Sequence, residues 1–242
     1  MNIPIQKITA TEAVVDNLRE RIITCEFEAG EKLPSEQSLL KQYNVSRLTL
    51  REALAKLSAW GVIDVKQGKG AYISENVSIP ALDSVLIPMF PQKNPDKMNE
   101  LVEARNLLES EITARVAVKR TSKDIAELEN LLTYDNKTIN SVEKFAERDY
   151  TFHLTLSRMA GNEFFHTMYQ ALNRQIRFFL LQYARSITDW KAALERHIPI
   201  LEAIIEQNEE KARTIAREHA RICASYIHKR QQKYQTTGEV IQ

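Results

Sequence analysis

Ser46-Arg-Leu-Thr-Leu-Arg-Glu-Ala-Leu-Ala-Lys-Leu57, followed by Val62-Ile-Asp-Val65, Lys66-Gln-Gly-Lys-Gly70 and Ala71-Tyr-Ile73, is the stretch whose reading decides the fold. Leu50, Ala53, Leu54 and Leu57 repeat as one apolar face of a helix, which the pattern predicts over 46–59. Ser46 suits its N-cap and Gly61 its C-terminal turn. The two short apolar runs that follow read as strands, and the Gly-containing segment between them as a hairpin tip. Upstream, Val14, Leu18 and Ile22 mark a helix over 9–25, Gly30 and Pro34 punctuate a loop, and a short helix fits 35–42. Helix, helix, turn, helix and two-stranded ribbon, in that order, make a winged helix-turn-helix, expected over residues 7–75.

Such a unit reads DNA by placing the N-terminal end of its third helix against base edges in the major groove. Arg47, Thr49 and Arg51 occupy that end. A guanidinium fork can bond guanine O6 and N7 together, the role expected of Arg47. Thr49 and Arg51 suit phosphates or a thymine methyl. Ser35 and Ser46 stand at helix starts, where backbone N–H groups meet a phosphate. Gln67, Gly68 and Lys69 make a small basic tip that can approach the duplex. Charge supports this only locally. Residues 1–77 hold 10 basic and 10 acidic side chains, whereas 46–70 carry a net +3 from Arg47, Arg51, Lys56, Lys66 and Lys69 against Glu52 and Asp64. On charge alone, a protein-binding winged helix with solvated charges fits as well.

The runs Gly30-Glu-Lys-Leu-Pro-Ser-Glu36, Tyr43-Asn-Val-Ser-Arg47, Arg51-Glu-Ala-Leu-Ala-Lys-Leu57 and Gly61–Ile73 together resemble the DNA-binding domain of GntR-family regulators, across about residues 9–75. Two positions depart from the family pattern. Leu48 stands where a small polar residue is frequent, and Gln37 where a basic one is.

Residues 76–95 change character. Pro80, Pro88, Pro91 and Pro95 fall here, and the apolar stretch between them suggests a linker with one short helix over 81–90. From 96 to 232 the pattern is helical throughout, with breaks near 121–122, 138–140, 161–162, 186–188 and 208–209 that predict six helices. Residues 233–242 read as a flexible tail. The chain is thus mainly α, a winged helix-turn-helix plus an all-helical antiparallel bundle.

Four polar residues interrupt apolar stripes in the second half. Asp149 and His153 fall on the line Val142, Phe145, Phe152, Leu156. His197 falls on the line Trp190, Leu194, Ile200, Ile204, and His219 on the line Ala212, Ile215, Ile222, Tyr226. Buried polar groups need partners. One carboxylate and three imidazoles suit a divalent ion, Zn²⁺ first, with Ni²⁺, Mn²⁺ or Fe²⁺ also compatible. The bland alternative gives each histidine its own core hydrogen bond. His166 and His228 lie off their stripes and are expected at the surface. Pro199, two residues after His197, is expected to kink that helix. Arg105 also interrupts a stripe, Leu101, Leu108, Ile112. A buried guanidinium needs an anion, either Glu109 one turn on or the carboxylate of a bound molecule.

Residues 96–232 resemble the FCD effector domain of the FadR-like subgroup of GntR regulators, through Asp149-x-x-x-His153, His197, His219 and Arg105-x-x-x-Glu109. The resemblance implies a homodimer, a bound divalent metal and a small organic acid as effector. The expected function is a ligand-controlled regulator on a palindromic operator of double-stranded DNA, repressing more often than activating. A metal-responsive regulator and a metal-dependent enzyme remain as alternatives; the enzyme lacks HExxH, G-x-S-x-G or a phosphate loop in its support. A net charge of +1 neither requires nor excludes nucleic acid. No apolar run reaches the roughly 20 residues of a membrane span, no secretory signal is visible, and Cys25 and Cys223 have no metal or CxxC spacing. A cytoplasmic setting without membrane contact is expected.

Overall fold

The computed structural model describes residues 8–75, 79–86, 89 and 95–237. The chain divides between Val85 and Leu86 into two compact units, inside the segment expected to be linker.

In the first unit, α1 (Ala10–Ile23) starts at a capping box in which Thr9 and Glu12 satisfy each other's free N–H groups. α2 (Glu36–Tyr43) is capped by Ser35 and ends at Asn44, whose φ of 50° turns the chain left-handed. α3 (Arg47–Ala59) is capped by Ser46 and buries Leu50, Ala53 and Leu57, the expected face. β1 (Ile63–Lys66) and β2 (Gly70–Ile73) pair antiparallel, with Ile63 opposite Ile73 and Lys66 opposite Gly70. The loop before α2 joins this ribbon as a third segment: Leu33 N–H bonds Ala71 O at 2.9 Å and Gly30 N–H bonds Ile73 O at 3.0 Å. Gly30 has φ +79°, a left-handed conformation that other L residues adopt only with strain. Val14, Leu18, Leu39, Leu50, Leu57 and Ile63 meet in one small core.

α4 (Ile79–Leu86) lies where the linker helix was expected over 81–90; residues 87, 88 and 90 lie outside the described ones. The second unit then contains α5 (Pro95–Lys119), α6 (Ser122–Leu132), α7 (Val142–Met159), α8 (Glu163–Ala171), α9 (Asn173–Ser186), α10 (Trp190–Glu195), α11 (Ile198–Ile205) and α12 (Glu209–Thr237). These are eight helices among the described residues, against the six expected. One extra break falls at Leu172, shared by the end of α8 and the start of α9 with no side-chain cap, so nothing in the residue types announces it. The other falls at Arg196-His197. A proline is tolerated in a helix's first turn but not in its interior, and Pro199 occupies the second position of α11. The expected kink is therefore a full break. α12 also continues to Thr237, past residue 233 where the tail was expected; 238–242 lie outside the described residues.

α5 packs along α12, and α7 lies against α9 and α5. Phe145, Phe152, Phe179, Leu180, Tyr183 and Ile200 fill the space between them. Burying one such side chain is worth about 1.5–3 kcal/mol.

Candidate metal centre and candidate nucleic-acid interface

Asp149 and His153 stand one turn apart on α7, His197 in the break before α11, and His219 on α12. All four are buried, as the stripes predict. One nitrogen from each of His153, His197 and His219 lies within 4.8 Å of the others, and these three form the tight cluster. Asp149 adjoins two of them: its Oδ1 is 3.6 Å from His153 Nε2 and its Oδ2 is 3.6 Å from His197 Nε2. That distance is too long for a hydrogen bond. It is close to the separation of two donors on one tetrahedral Zn²⁺, about 3.4 Å for bonds near 2.0–2.1 Å.

Three of the four residues also pass a test of satisfaction. His153 Nε2, His197 Nε2 and both Asp149 oxygens are buried without a hydrogen-bond partner. Four such atoms facing one another would cost several kcal/mol if nothing bound them. The outer edges of the rings are oriented instead. His197 Nδ1–H donates to Leu194 O at 2.9 Å, which leaves Nε2 with its lone pair inward. His153 Nδ1 points at Glu109 Oε2, 3.6 Å away. Burial lowers the pKa of all three histidines, and the Arg105 charge adds to the shift in each. At neutral pH they are neutral imidazoles, the form that binds a metal. The separate-hydrogen-bond alternative accounts for one edge of His197 and for His219, whose Nε2 lies 3.7 Å from Cys223 Sγ, but for none of the unpartnered atoms.

Arg105, on α5, is 1 % exposed. Its Nε–H donates to Glu109 Oε1 at 2.6 Å, and its guanidinium lies over Phe179 at 4.9 Å. Burial opposes its charge, but Glu109, Tyr169 and Asp149 outweigh that and hold its pKa above normal. Glu109 takes one edge, while Nη1 and Nη2 are buried without hydrogen-bond partners, Nη2 being 4.0 Å from Asp149 Oδ1. Sequence reasoning missed Tyr169, whose hydroxyl donates to Glu109 Oε1 at 3.0 Å, and the Phe179 platform. Both sit among ordinary aromatic core positions. It also missed Cys223, 3.7 Å from His219 Nε2 and one turn beyond it; burial pushes that thiol up to about 12. His166 is half-buried and bonded to Ser157 at 2.8 Å, rather than a surface residue. The side chain of His228 lies outside the described ones.

In the first unit, Ser35, Ser46, Arg47 and Arg51 are exposed, as are Gln67, Gly68 and Lys69 at the ribbon tip. Ser35 and Ser46 accept from the N–H groups of Ser38 and Thr49, so both hydroxyls act as caps. The half-buried Thr49 shares its hydroxyl with Ser46 at 2.8 Å. Arg51 Nε bonds Glu36 at 3.0 Å. Arg47 has no ion-pair partner among the described residues. Gly68 has φ +70° with open space around it, which suits a tip that must come close to another surface.

A winged helix-turn-helix with an exposed basic third helix, joined to a helical unit that gathers buried ligating groups, defines a DNA-binding transcription regulator. Comparison with known proteins agrees. The gntR family of bacterial regulatory proteins matches residues 10–73, and the FCD domain matches residues 100–221. A solved structure, Streptococcus agalactiae GntR, shares 30% identity with a TM-score of 0.61, over 89% of this chain and 99% of that one. The HTH-type transcriptional repressor NanR of Salmonella arizonae is 26% identical over 245 residues, covering 97% of this chain and 90% of that protein. NanR of Salmonella typhimurium is 27% identical over 220 residues, covering 86% and 81%. The chain belongs to the GntR family of bacterial regulators, with an FCD domain at its C-terminal side. This is a class of DNA-binding regulators and not of enzymes, so the metal-dependent-enzyme alternative falls away.

Proposed function

We propose that this chain is a cytoplasmic, ligand-responsive transcription repressor that binds a palindromic operator as a homodimer and is controlled by a small organic acid held at a divalent-metal site. The single observation that carries the sensing half is the convergence of unpartnered buried atoms: the Asp149 oxygens, His153 Nε2, His197 Nε2 and the two Arg105 terminal nitrogens. Asp149, His153, His197 and His219 hold the ion, Zn²⁺ by preference for nitrogen with one oxygen. With four protein donors on it, the ion would take a carboxylate oxygen by expanding beyond four-coordination. Arg105 offers its free Nη pair as a fork to that carboxylate, while Glu109, Tyr169 and Phe179 keep the guanidinium in place.

On the DNA side, Arg47 reads guanine and Thr49 and Arg51 flank it. Ser35 and Ser46 bring helix N-termini to phosphates, and Gln67, Gly68 and Lys69 approach the adjacent groove. Two copies on a palindrome double these contacts. A ligand that favours the free shape over the DNA-bound shape by about 1.4 kcal/mol weakens operator binding tenfold. The relatives named as repressors support that direction.

The test combines metal analysis with operator titration. Protein prepared without chelator carries about one divalent ion per chain, as the single donor cluster requires. The double variant His153→Ala plus His219→Ala carries none. One member of a panel of sugar acids, hydroxy acids and amino acids then releases the operator from the wild type. Metal-free wild-type protein that still responds to an acid would remove the ion from the reading. Release by the metal alone would make the protein a metal sensor.

A further inference from the structure

We infer that Leu48 reads the 5-methyl group of a thymine in the operator. The inference rests on the DNA-binding reading above. Leu48 is the second residue of α3 and is 69% exposed. It lies about 200° around the helix from the buried Leu50 at 100° per residue, so it points directly away from the core. A single exposed leucine is ordinary on a protein surface. This one sits in the first turn of the helix that a winged helix-turn-helix lays in the major groove, next to the exposed Arg47.

Its neighbours are polar and have partners on the protein. The Thr49 hydroxyl is shared with Ser46 Oγ at 2.8 Å, and Arg51 is bonded to Glu36 at 3.0 Å. Glu52, on the same outward side, accepts from Thr11 at 3.0 Å. The first turn therefore presents one guanidinium, Arg47, and one apolar side chain, Leu48. An isobutyl group makes no hydrogen bond, so it cannot distinguish the donor and acceptor patterns of base edges. The one apolar feature in the major groove is the thymine methyl. Contact between the two removes both from water and rejects cytosine, whose exocyclic amine would be left facing a hydrocarbon without an acceptor. Arg47 and Leu48 thus specify a guanine and a thymine in each half-site.

The experiment uses the full-length protein to select binding duplexes from a random pool. Each thymine of the selected site is then replaced singly by deoxyuridine, which removes only the methyl. One thymine per half-site is expected to lose about fourfold in affinity for the wild type, the worth of one buried methyl-sized group. The variant Leu48→Ala binds the thymine duplex more weakly and treats thymine and uracil alike at that position, with an unchanged melting temperature because the side chain is exposed. The inference is overturned if no single replacement weakens the wild type, or if Leu48→Ala keeps the full preference for thymine. A protein that selects no duplex would sink the DNA-binding reading itself, a separate and earlier failure.

Discussion

Arg105 shows how much one residue type can carry. A guanidinium at 1 % exposure, with Nε bonded and both Nη atoms unpartnered, is a structural ion pair on one edge and an open fork on the other. Removing the charge would strand Glu109, a loss of about 3–5 kcal/mol, and would confuse stability with sensing. Arg105→Lys keeps the charge and loses the fork. It is expected to leave operator affinity unchanged and to raise the effector concentration for half-release at least tenfold in a fluorescence titration; an unaltered midpoint would return Arg105 to a purely structural role. The histidines make a second prediction. Their folded pKa values lie below the ordinary value near 6.5, because burial disfavours the charged ring. The unfolded chain therefore binds more protons below pH 6.5. Stability is full above that pH and falls as pH drops through it, by about 1.4 kcal/mol per pH unit for each ring that protonates only on unfolding. Urea titrations of metal-free protein between pH 7.5 and 5 should show this slope, and His219→Gln should make it shallower; equal slopes would mean that His219 charges without unfolding. Asp149, His153, His197, His219 and Arg105 were all legible because each breaks an apolar stripe. Tyr169 and Phe179 were not, since an aromatic residue on an apolar face looks the same whether it fills space or supports a guanidinium.

Among the elements, the break between α10 and α11 matters most to the site. His197 N–H and Nδ1–H both turn to the carbonyl of Leu194, at 3.0 and 2.9 Å, and the ring is thereby aimed at Asp149. Pro199 holds this arrangement by fixing φ in the first turn of α11. Pro199→Ala frees the chain to continue one helix from Trp190 towards Ile205. The expected outcome is a stability loss near 1 kcal/mol together with at least a tenfold loss of metal affinity in competition with a chromophoric chelator. If affinity holds, packing alone sets the break. In the first unit the helices and both strands were readable to within two residues of their ends, since caps, Gly30 and Gly61 mark the boundaries. In the second unit the breaks expected at 161–162 and 186–188 were equally plain. Leu172 was invisible, because an uncapped change of direction is set by what the flanking helices pack against and not by the residue that bends.

The whole molecule has two cores, and the proposed ion touches only one of them. Val14, Leu18, Leu39, Leu50 and Leu57 belong to the first, and the four proposed ligands are buried in the second unit. A ligand that binds the folded form alone stabilises the unit that holds it, by about 2.7 kcal/mol when free ligand is at 100 times its Kd. For a unit of this size that is roughly 5–10 °C in Tm. Scanning calorimetry of the full chain should therefore resolve two transitions, with a strong chelator lowering one by that amount and leaving the other in place. Ser46→Ala, which removes the cap of α3, should do the reverse: it costs about 1 kcal/mol in the DNA-binding unit and leaves the chelator-sensitive transition where it was. This reciprocal pattern follows only if the stability of each unit is its own. A chelator that moves both transitions equally would mean that metal occupancy is coupled to the folding of the DNA-binding unit. Control of the operator would then act through the order of the winged helix-turn-helix, with no need for a change in how two folded units are held.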